Sequence, residues 1–146
     1  MNAQLSYREA AVQGASPVRL VILLYEQAVE DLRRALAALR ENDIEGRTRH
    51  INHALLVLGH LEATLDKKQG GPVALDLQRF YAQLRVGLME AQGRQSAALL
   101  EDQISHLMQV LGAWCEVERR HAAPAGTGSV SEPQPERSPG SSEWNA

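Results

Sequence analysis

Apolar residues recur at alternating steps of three and four along four successive segments of this chain, and this period constrains its fold more than any other feature. In the first segment the repeat consists of Val18, Val21, Tyr25, Ala28, Leu32, Ala35 and Leu39. Similar repeats run through residues 44–65, 73–91 and 97–114. Because steps of three or four return to the same side of a helix, each segment predicts an amphipathic helix with one apolar stripe. No segment shows the period of two that a strand requires, so the chain is predicted to be all-α.

Helix start and stop signals divide the chain into the same four segments. N-cap residues or first-turn prolines occur at Ser16-Pro17, Asp43, Pro72 and Ser96. Breaks occur at Asn42-Asp43, at the turn 66–71 and at Gly93. The predicted helices therefore span about 17–41, 44–65, 72–92 and 97–121. Helices of this length joined by short loops predict an antiparallel four-helix bundle.

Composition sets the limits of the bundle and excludes two classes of partner. The bundle is predicted to occupy residues 16–122, between a short N-terminal segment, 1–15, and a disordered tail, 123–146, which holds four of the six prolines. A net charge of −3 argues against sequence-independent binding of nucleic acid, which needs a basic excess. The longest apolar run, 20–25, is far shorter than the ~20 residues of a membrane helix, so no membrane insertion is expected.

The N-terminus lacks the apolar region of a signal peptide, and a cytoplasmic protein is expected. The single cysteine, Cys115, cannot form an internal disulfide and is predicted to be a small buried residue beside Trp114. Trp114 is expected to pack at the end of the bundle. No cofactor, metal or catalytic residue is predicted, because no phosphate-binding glycine motif and no nucleophile–base spacing occurs.

The first half of helix 1 is apolar on nearly every side, which exceeds what one stripe needs. Several apolar residues fall outside the predicted stripes and are candidate partner contacts: Leu20, Leu23 and Leu24 on helix 1, Val57 and Leu61 on helix 2, and Val86 and Met89 on helix 3. Part of this surplus can be explained by a wider core face. The remainder predicts a partner-binding patch or a dimer interface, and a groove of this kind suits an amphipathic helix.

Five segments, in order, resemble the flagellin-specific export chaperones of the FliS family. They are ASPVRLVILLYE after the isolated Tyr7, LRENDIEGRTRHINHAL, LEATLDKKQGG, FYAQLRVGLMEAQ and LGAWCEVE. The resemblance covers about residues 5–118. The departures from the family pattern are Glu26 for Asp, Phe80 for Leu, Gln92 for Asn and Ser96 for Asp.

The resemblance implies a chaperone that is not an enzyme. It would bind the disordered C-terminal segment of flagellin, prevent its premature polymerisation and keep it competent for flagellar type III secretion. It adds Tyr7 to the candidate partner contacts, because the segment around this residue is implied to cover part of the site and to rearrange when flagellin binds. Export-gate components or regulators are further partners for which the sequence indicates no site.

Two other classes of function compete with a chaperone. The chain could be a helical-bundle adaptor or a homodimer, weak or obligate, whose apolar patch meets its own copy. A histidine phosphotransfer domain is also a four-helix bundle, but neither His53 nor His60 is followed by the expected Lys and Gly. His50, His53 and His60 lack patterned Cys or acidic partners for a metal and are predicted to lie on a solvated face. The arginines at the helix 1–2 corner, including Arg47, are expected to be solvated and paired with nearby acids such as Asp31.

Overall fold

The computed structural model describes residues 16–66 and 70–123, and side chains as far as His121. This part of the chain forms four helices and no strand: α1 Pro17–Arg40, α2 Ile44–Ala63, α3 Gly71–Arg94 and α4 Ala97–Ala123. The predicted N-terminal segment with Tyr7, the turn residues 67–69 and nearly all of the predicted tail, including Trp144, lie outside the described residues.

Side-chain caps begin three of the helices where the sequence predicts them. Ser16 Oγ accepts a hydrogen bond from the Arg19 amide (3.1 Å), and Ser96 Oγ accepts one from the Leu99 amide (3.1 Å). The Asp43 carboxylate accepts in the same way from the Gly46 amide (2.9 Å). α3 begins at Gly71, one residue before Pro72, and extends past Gly93 to Arg94.

Ion pairs and hydrogen bonds between neighbouring helices establish the antiparallel arrangement. The start of α1 is joined to the end of α4 by Arg19 and Glu118 (2.5 Å), and the opposite ends of the same helices by Arg40 and Glu101 (2.7 Å). Arg85 on α3 pairs with Glu62 on α2 at 2.5 Å. Each helix packs on two neighbours, so the four follow one another around the bundle. The predicted antiparallel four-helix bundle is confirmed.

Two tyrosines meet across the centre of this bundle. Tyr25 of α1 and Tyr81 of α3 are both fully buried, and their hydroxyls are joined by a 2.9 Å hydrogen bond. Their rings lie 6.2 Å apart with a tilt of 57°. Burial raises the pKa of each hydroxyl, so both groups stay neutral and pair with each other. This bond ties the two diagonal helices together inside the hydrophobic core.

The faces that α1 and α2 bury are wider than the sequence predicts. Ile22, Ala54, Val57 and Leu61 are all at most 1% exposed. The expectation that Val57 and Leu61 lie outside the core is therefore wrong. α1 and α2 share the most extensive helix contact of the bundle, and each also packs on a second neighbour, so the flanks of their stripes are buried as well.

Some polar and small residues are also placed differently from the expectation. Asp31 and Arg47, predicted to be solvated, are only 3% and 5% exposed. His53 is partly buried because its Nδ1 lies 2.5 Å from the Asp31 carboxylate across the α1–α2 contact. Cys115, predicted to be buried, is exposed, since it follows Trp114 on α4 and so lies on a different side of that helix.

Candidate partner-binding surface

An open apolar groove lies at the end of the bundle where α1 and α3 begin. We call it the end groove; its volume is about 240 Å³. Its walls come from three helices and the turn after α2. The lining residues are Pro17, Val18 and Val21 of α1; Thr64, Leu65, Asp66 and Gly70 of the turn; Val73, Ala74, Leu77 and Tyr81 of α3; and Trp114 of α4. The groove exists because stripe residues continue into the terminal turns, where fewer neighbours remain to cover them.

The rim of the end groove is shaped by a tight turn after α2. The Gly70 amide donates to the Asp66 carbonyl at 2.7 Å. A Cβ at Gly70 would lie 2.6 Å from that carbonyl oxygen and 2.7 Å from the Ala74 Cβ, so a larger residue cannot occupy this position without a shift of the backbone. The turn holds Val73 beside the groove, where its side chain is 64% exposed.

The floor of the end groove is formed by residues that are fixed to the core. Tyr81, which lines it, is held by the Tyr25 hydrogen bond, and Trp114 packs against the buried core. Trp114 offsets part of the rise in the pKa of Tyr25 that burial causes, and within the described residues its indole N–H is buried with no hydrogen-bond acceptor. The expectation that Trp114 packs at the end of the bundle is confirmed. A fixed floor with an open apolar wall suits an incoming apolar side chain.

A second groove follows the contact between α1 and α4, and we call it the lateral groove. Its volume is about 490 Å³. Apolar and charged residues line it together: Val29, Ala37, Met108 and Leu111, with Glu26, Glu30, Arg33 and Arg34. An apolar base between charges of both signs suits an amphipathic helix, which presents both kinds of side chain.

The structure does not bring the predicted contact residues into one surface. Leu20, Leu23 and Leu24 are half-buried on α1, and Leu24 also packs against the core. Val86 and Met89 are 66% and 62% exposed on α3, which lies diagonally across the bundle from α1. Val57 and Leu61 are core residues that offer no exposed surface. The structure thus divides the candidates between two helices.

Sequence reasoning missed the residues of the end groove. The repeats at 18–39 and 73–91 include Val18, Val73 and Leu77, and their periodicity is the same as that of buried residues. The available signal is their position: Val18 and Val73 lie in the first turn of a helix and Leu77 in the second, where a stripe residue meets fewer neighbours. Ile44, 60% exposed in the first turn of α2, shows the same effect at the opposite end of the bundle.

The described part of the chain offers surfaces for contact and no cluster of metal-binding side chains. Within residues 16–66 and 70–123, no three His, Cys, Asp or Glu side chains are close enough together to hold a metal ion. None of the four helices over the same residues is both long and apolar enough to cross a membrane. The surface contains apolar grooves with charged residues beside them, and grooves of this kind suit polypeptide segments that pack through their side chains.

The fold and these surfaces define a class: four-helix bundles with open apolar grooves of a kind that suits a protein partner. The family model for the flagellar protein FliS matches residues 1–121. The chain therefore belongs to the FliS family of flagellar secretion chaperones, and it is not an enzyme. The resemblance noted in the sequence is confirmed.

Individual relatives support the same assignment. The chain is 32% identical over 118 residues to the flagellar secretion chaperone FliSB of Pseudomonas aeruginosa, covering 78% of this chain and 94% of that protein. It is 30% identical over 116 residues to the flagellar secretion chaperone FliS of Salmonella typhimurium, covering 79% and 85%. The flagellar secretion chaperone FliS of Campylobacter jejuni is 31% identical over 116 residues, covering 77% and 86%.

Proposed function

We propose that this chain is a cytoplasmic export chaperone for flagellin. It binds the C-terminal segment of flagellin, which is disordered when free, prevents premature polymerisation and keeps the protein competent for flagellar type III secretion. Membership of the FliS family supports flagellin as the client. The observation that carries the proposal is the end groove, an apolar site built by three helices and the turn after α2 and left open beside a floor of buried residues.

The proposed mechanism is folding of the client on the surface of the bundle. A disordered segment loses conformational entropy when it forms helices, so a large apolar contact is needed to compensate. The end groove accepts apolar side chains, and the charged rim of the lateral groove orients the polar face of the bound helix. Because both grooves include residues of α1, a client segment can pass from one to the other along this helix.

The remaining candidate contacts belong to the same proposal. Leu20, Leu23 and Leu24 extend the α1 surface, and Val86 and Met89 offer a separate contact on α3. The N-terminal segment 1–15, with Tyr7, is proposed to cover part of the site in the free chaperone. Export-gate components or regulators are further proposed partners.

The test is calorimetric titration of the full-length chain with the last ~40–60 residues of flagellin from the same cell, a length that can bury the 1,000–3,000 Å² typical of coupled folding. We expect one-to-one binding with a negative heat-capacity change and a gain in helicity on mixing. Absence of heat and of helix formation would contradict the chaperone proposal.

A pair of variants tests the end groove itself. Val73→Glu places a charge at the groove, and we expect it to weaken binding at least about tenfold with no loss of helicity. Ile44→Glu is the matched control, because it alters an equally exposed β-branched residue in the first turn of a helix at the opposite end of the bundle. Equal effects of the two substitutions would contradict a role for the end groove.

A further inference from the structure

A groove between α3 and α4 shares no residue with the end groove or the lateral groove. Its volume is about 340 Å³. Three glutamines and three apolar residues form most of its lining: Gln83, Gln103, Gln109, Phe80, Leu84 and Val110. No Asp, Glu, Lys or Arg side chain is among the described residues that line it. We call it the glutamine groove. Because it offers carboxamides beside apolar side chains, it suits an apolar segment with free backbone hydrogen-bonding groups.

Gln103 is the buried polar residue of the glutamine groove. It is only 8% exposed, yet within the described part of the chain its carboxamide makes no hydrogen bond. The carboxamide lies against Gly87 of α3, where a Cβ would come within 2.5–2.7 Å of three of its atoms. Its oxygen and nitrogen still reach the surface of the groove. A buried polar group without a partner is unfavourable, so this carboxamide is available to a ligand that supplies one.

Residues 131–137, with the sequence SEPQPER, have the complementary chemistry. Pro133 and Pro135 restrict their own backbone, and that of the residue before each, to extended conformations. Carbonyl oxygens in an extended proline-rich segment have no partner within the segment, so carboxamide N–H groups can donate to them. Proline rings pack against aromatic and aliphatic side chains, which Phe80 and Val110 supply.

We propose that residues 131–137 dock in the glutamine groove of the same chain. Gln103 donates a hydrogen bond to a carbonyl oxygen that precedes one of the two prolines, and the proline rings pack beside Phe80 and Val110. The end groove and the lateral groove stay open, because neither shares a residue with the glutamine groove. The docked segment is therefore held on a side of the bundle that the proposed client does not need.

The chain that follows α4 is long enough for this contact. Val110 and Gln103 lie about 20 and 30 Å before the last helical residue, Ala123, at 1.5 Å per residue. Gly126 and Gly128 permit the chain to reverse, because glycine accepts left-handed backbone conformations. Residues 129–137 then run back about 28 Å at 3.1 Å per residue of extended chain. This distance places the two prolines level with the glutamine groove.

The docking is expected to be weak and reversible. Few side chains take part, but the short connection to α4 gives the segment an effective concentration in the millimolar range. We therefore expect about half of the molecules to hold the segment in the groove at any time. The core of the bundle is complete without it.

The test is a paramagnetic NMR measurement on the full-length chain without flagellin, so that its outcome is independent of the proposed client. A nitroxide is attached at Ser138→Cys in a Cys115→Ser background, since the exposed Cys115 would otherwise be labelled as well. We expect the side-chain amide signals of the three groove glutamines to broaden and that of Gln27, on α1, to stay sharp. Sharp groove signals, or broadening of the Trp114 indole signal in their place, would overturn the proposal.

Variants on both sides of the contact separate docking from folding. Gln103→Leu should lower the docking equilibrium constant about fivefold, the effect of one ordinary hydrogen bond, with unchanged helicity because the native carboxamide is unpaired in the bundle. Gln78→Leu, at an exposed glutamine of α3 outside the groove, is the matched control and should change nothing. Pro133→Ala combined with Pro135→Ala should weaken docking without touching the bundle.

Two further results would overturn the proposal. The first is broadening of the groove signals that survives both Gln103→Leu and the double proline substitution. The second is broadening that appears only when the nitroxide and the ¹⁵N label are on different chains, because this would place the segment on a second copy.

Discussion

Asp31 shows how a single buried charge is tolerated between two helices. Burial raises the pKa of its carboxyl group, and hydrogen bonds from His53 and Gln27 offset part of that rise. The folded chain therefore binds a proton at Asp31 more tightly than the unfolded chain, where the pKa is about 3.8. The charged form lowers the free energy of unfolding, and this loss develops as the pH rises from about 4 through the folded pKa.

Replacing this carboxylate should therefore change the pH dependence of stability. We expect the free energy of unfolding of Asp31→Asn, relative to the native chain, to increase as the pH rises from 4 to 7, because the amide carries no charge to desolvate. Urea unfolding at a series of pH values measures this difference. Asp102→Asn, at an exposed carboxylate on α4, is the control and should show no such trend. A difference for Asp31→Asn that is constant across the range would contradict the explanation.

The tyrosine pair predicts a non-additive result. Tyr25→Phe or Tyr81→Phe alone leaves the other hydroxyl buried without its partner, which costs about 1–3 kcal/mol. The double substitution removes both polar groups, so its cost should be well below the sum of the two single costs. Chemical denaturation of the four proteins gives the coupling energy. Additive costs would mean that the hydrogen bond contributes nothing specific.

At the scale of a helix, the end of α3 contains a strained residue. Gln95 follows the helix in the left-handed region, with φ 51° and ψ 48°, and this conformation is unfavourable for a residue with a Cβ. We expect Gln95→Gly to raise the free energy of unfolding by about 0.5–1 kcal/mol. The same substitution at Gln78, exposed within α3, should lower it by about 1 kcal/mol because glycine weakens a helix interior. Changes of the same sign in thermal or urea unfolding would contradict this.

The sequence predicts the helices well because their ends depend on local chemistry. Ser16, Asp43 and Ser96 cap helices through hydrogen bonds to amides three residues ahead, and these contacts depend on nearby residues alone. The predicted end of α3 is too early because Gln95, and not Gly93, takes the left-handed position after the helix. Glutamine is not a residue type that predicts this position. A local pattern therefore locates an element more reliably than its last residue.

At the scale of the molecule, the sequence does not show which helices pack against one another. Periodicity identifies the centre of a buried face, but its width depends on which helices pack on either side. This is why Val57 and Leu61 proved to be core residues, and why Asp31 and His53 meet inside the α1–α2 contact. The end groove was missed for the converse reason, since Val73 lies in a stripe whose neighbours end before they cover it.

The limits of the bundle give the last prediction, which concerns removal of residues 124–146. The family match ends at residue 121, and the contacts that close the bundle among the described residues reach no further than Glu118, which pairs with Arg19. A chain ending at residue 123 keeps these contacts and the end groove. We therefore expect its free energy of unfolding to change by less than about 0.5 kcal/mol and its affinity for the flagellin segment to stay the same. Urea unfolding of both lengths measures the free energy of unfolding, and calorimetric titration measures the affinity. Arg19→Ala in each length reports whether α4 still packs on α1. A clear loss of affinity in the shorter chain would assign residues 124–146 a part in client binding.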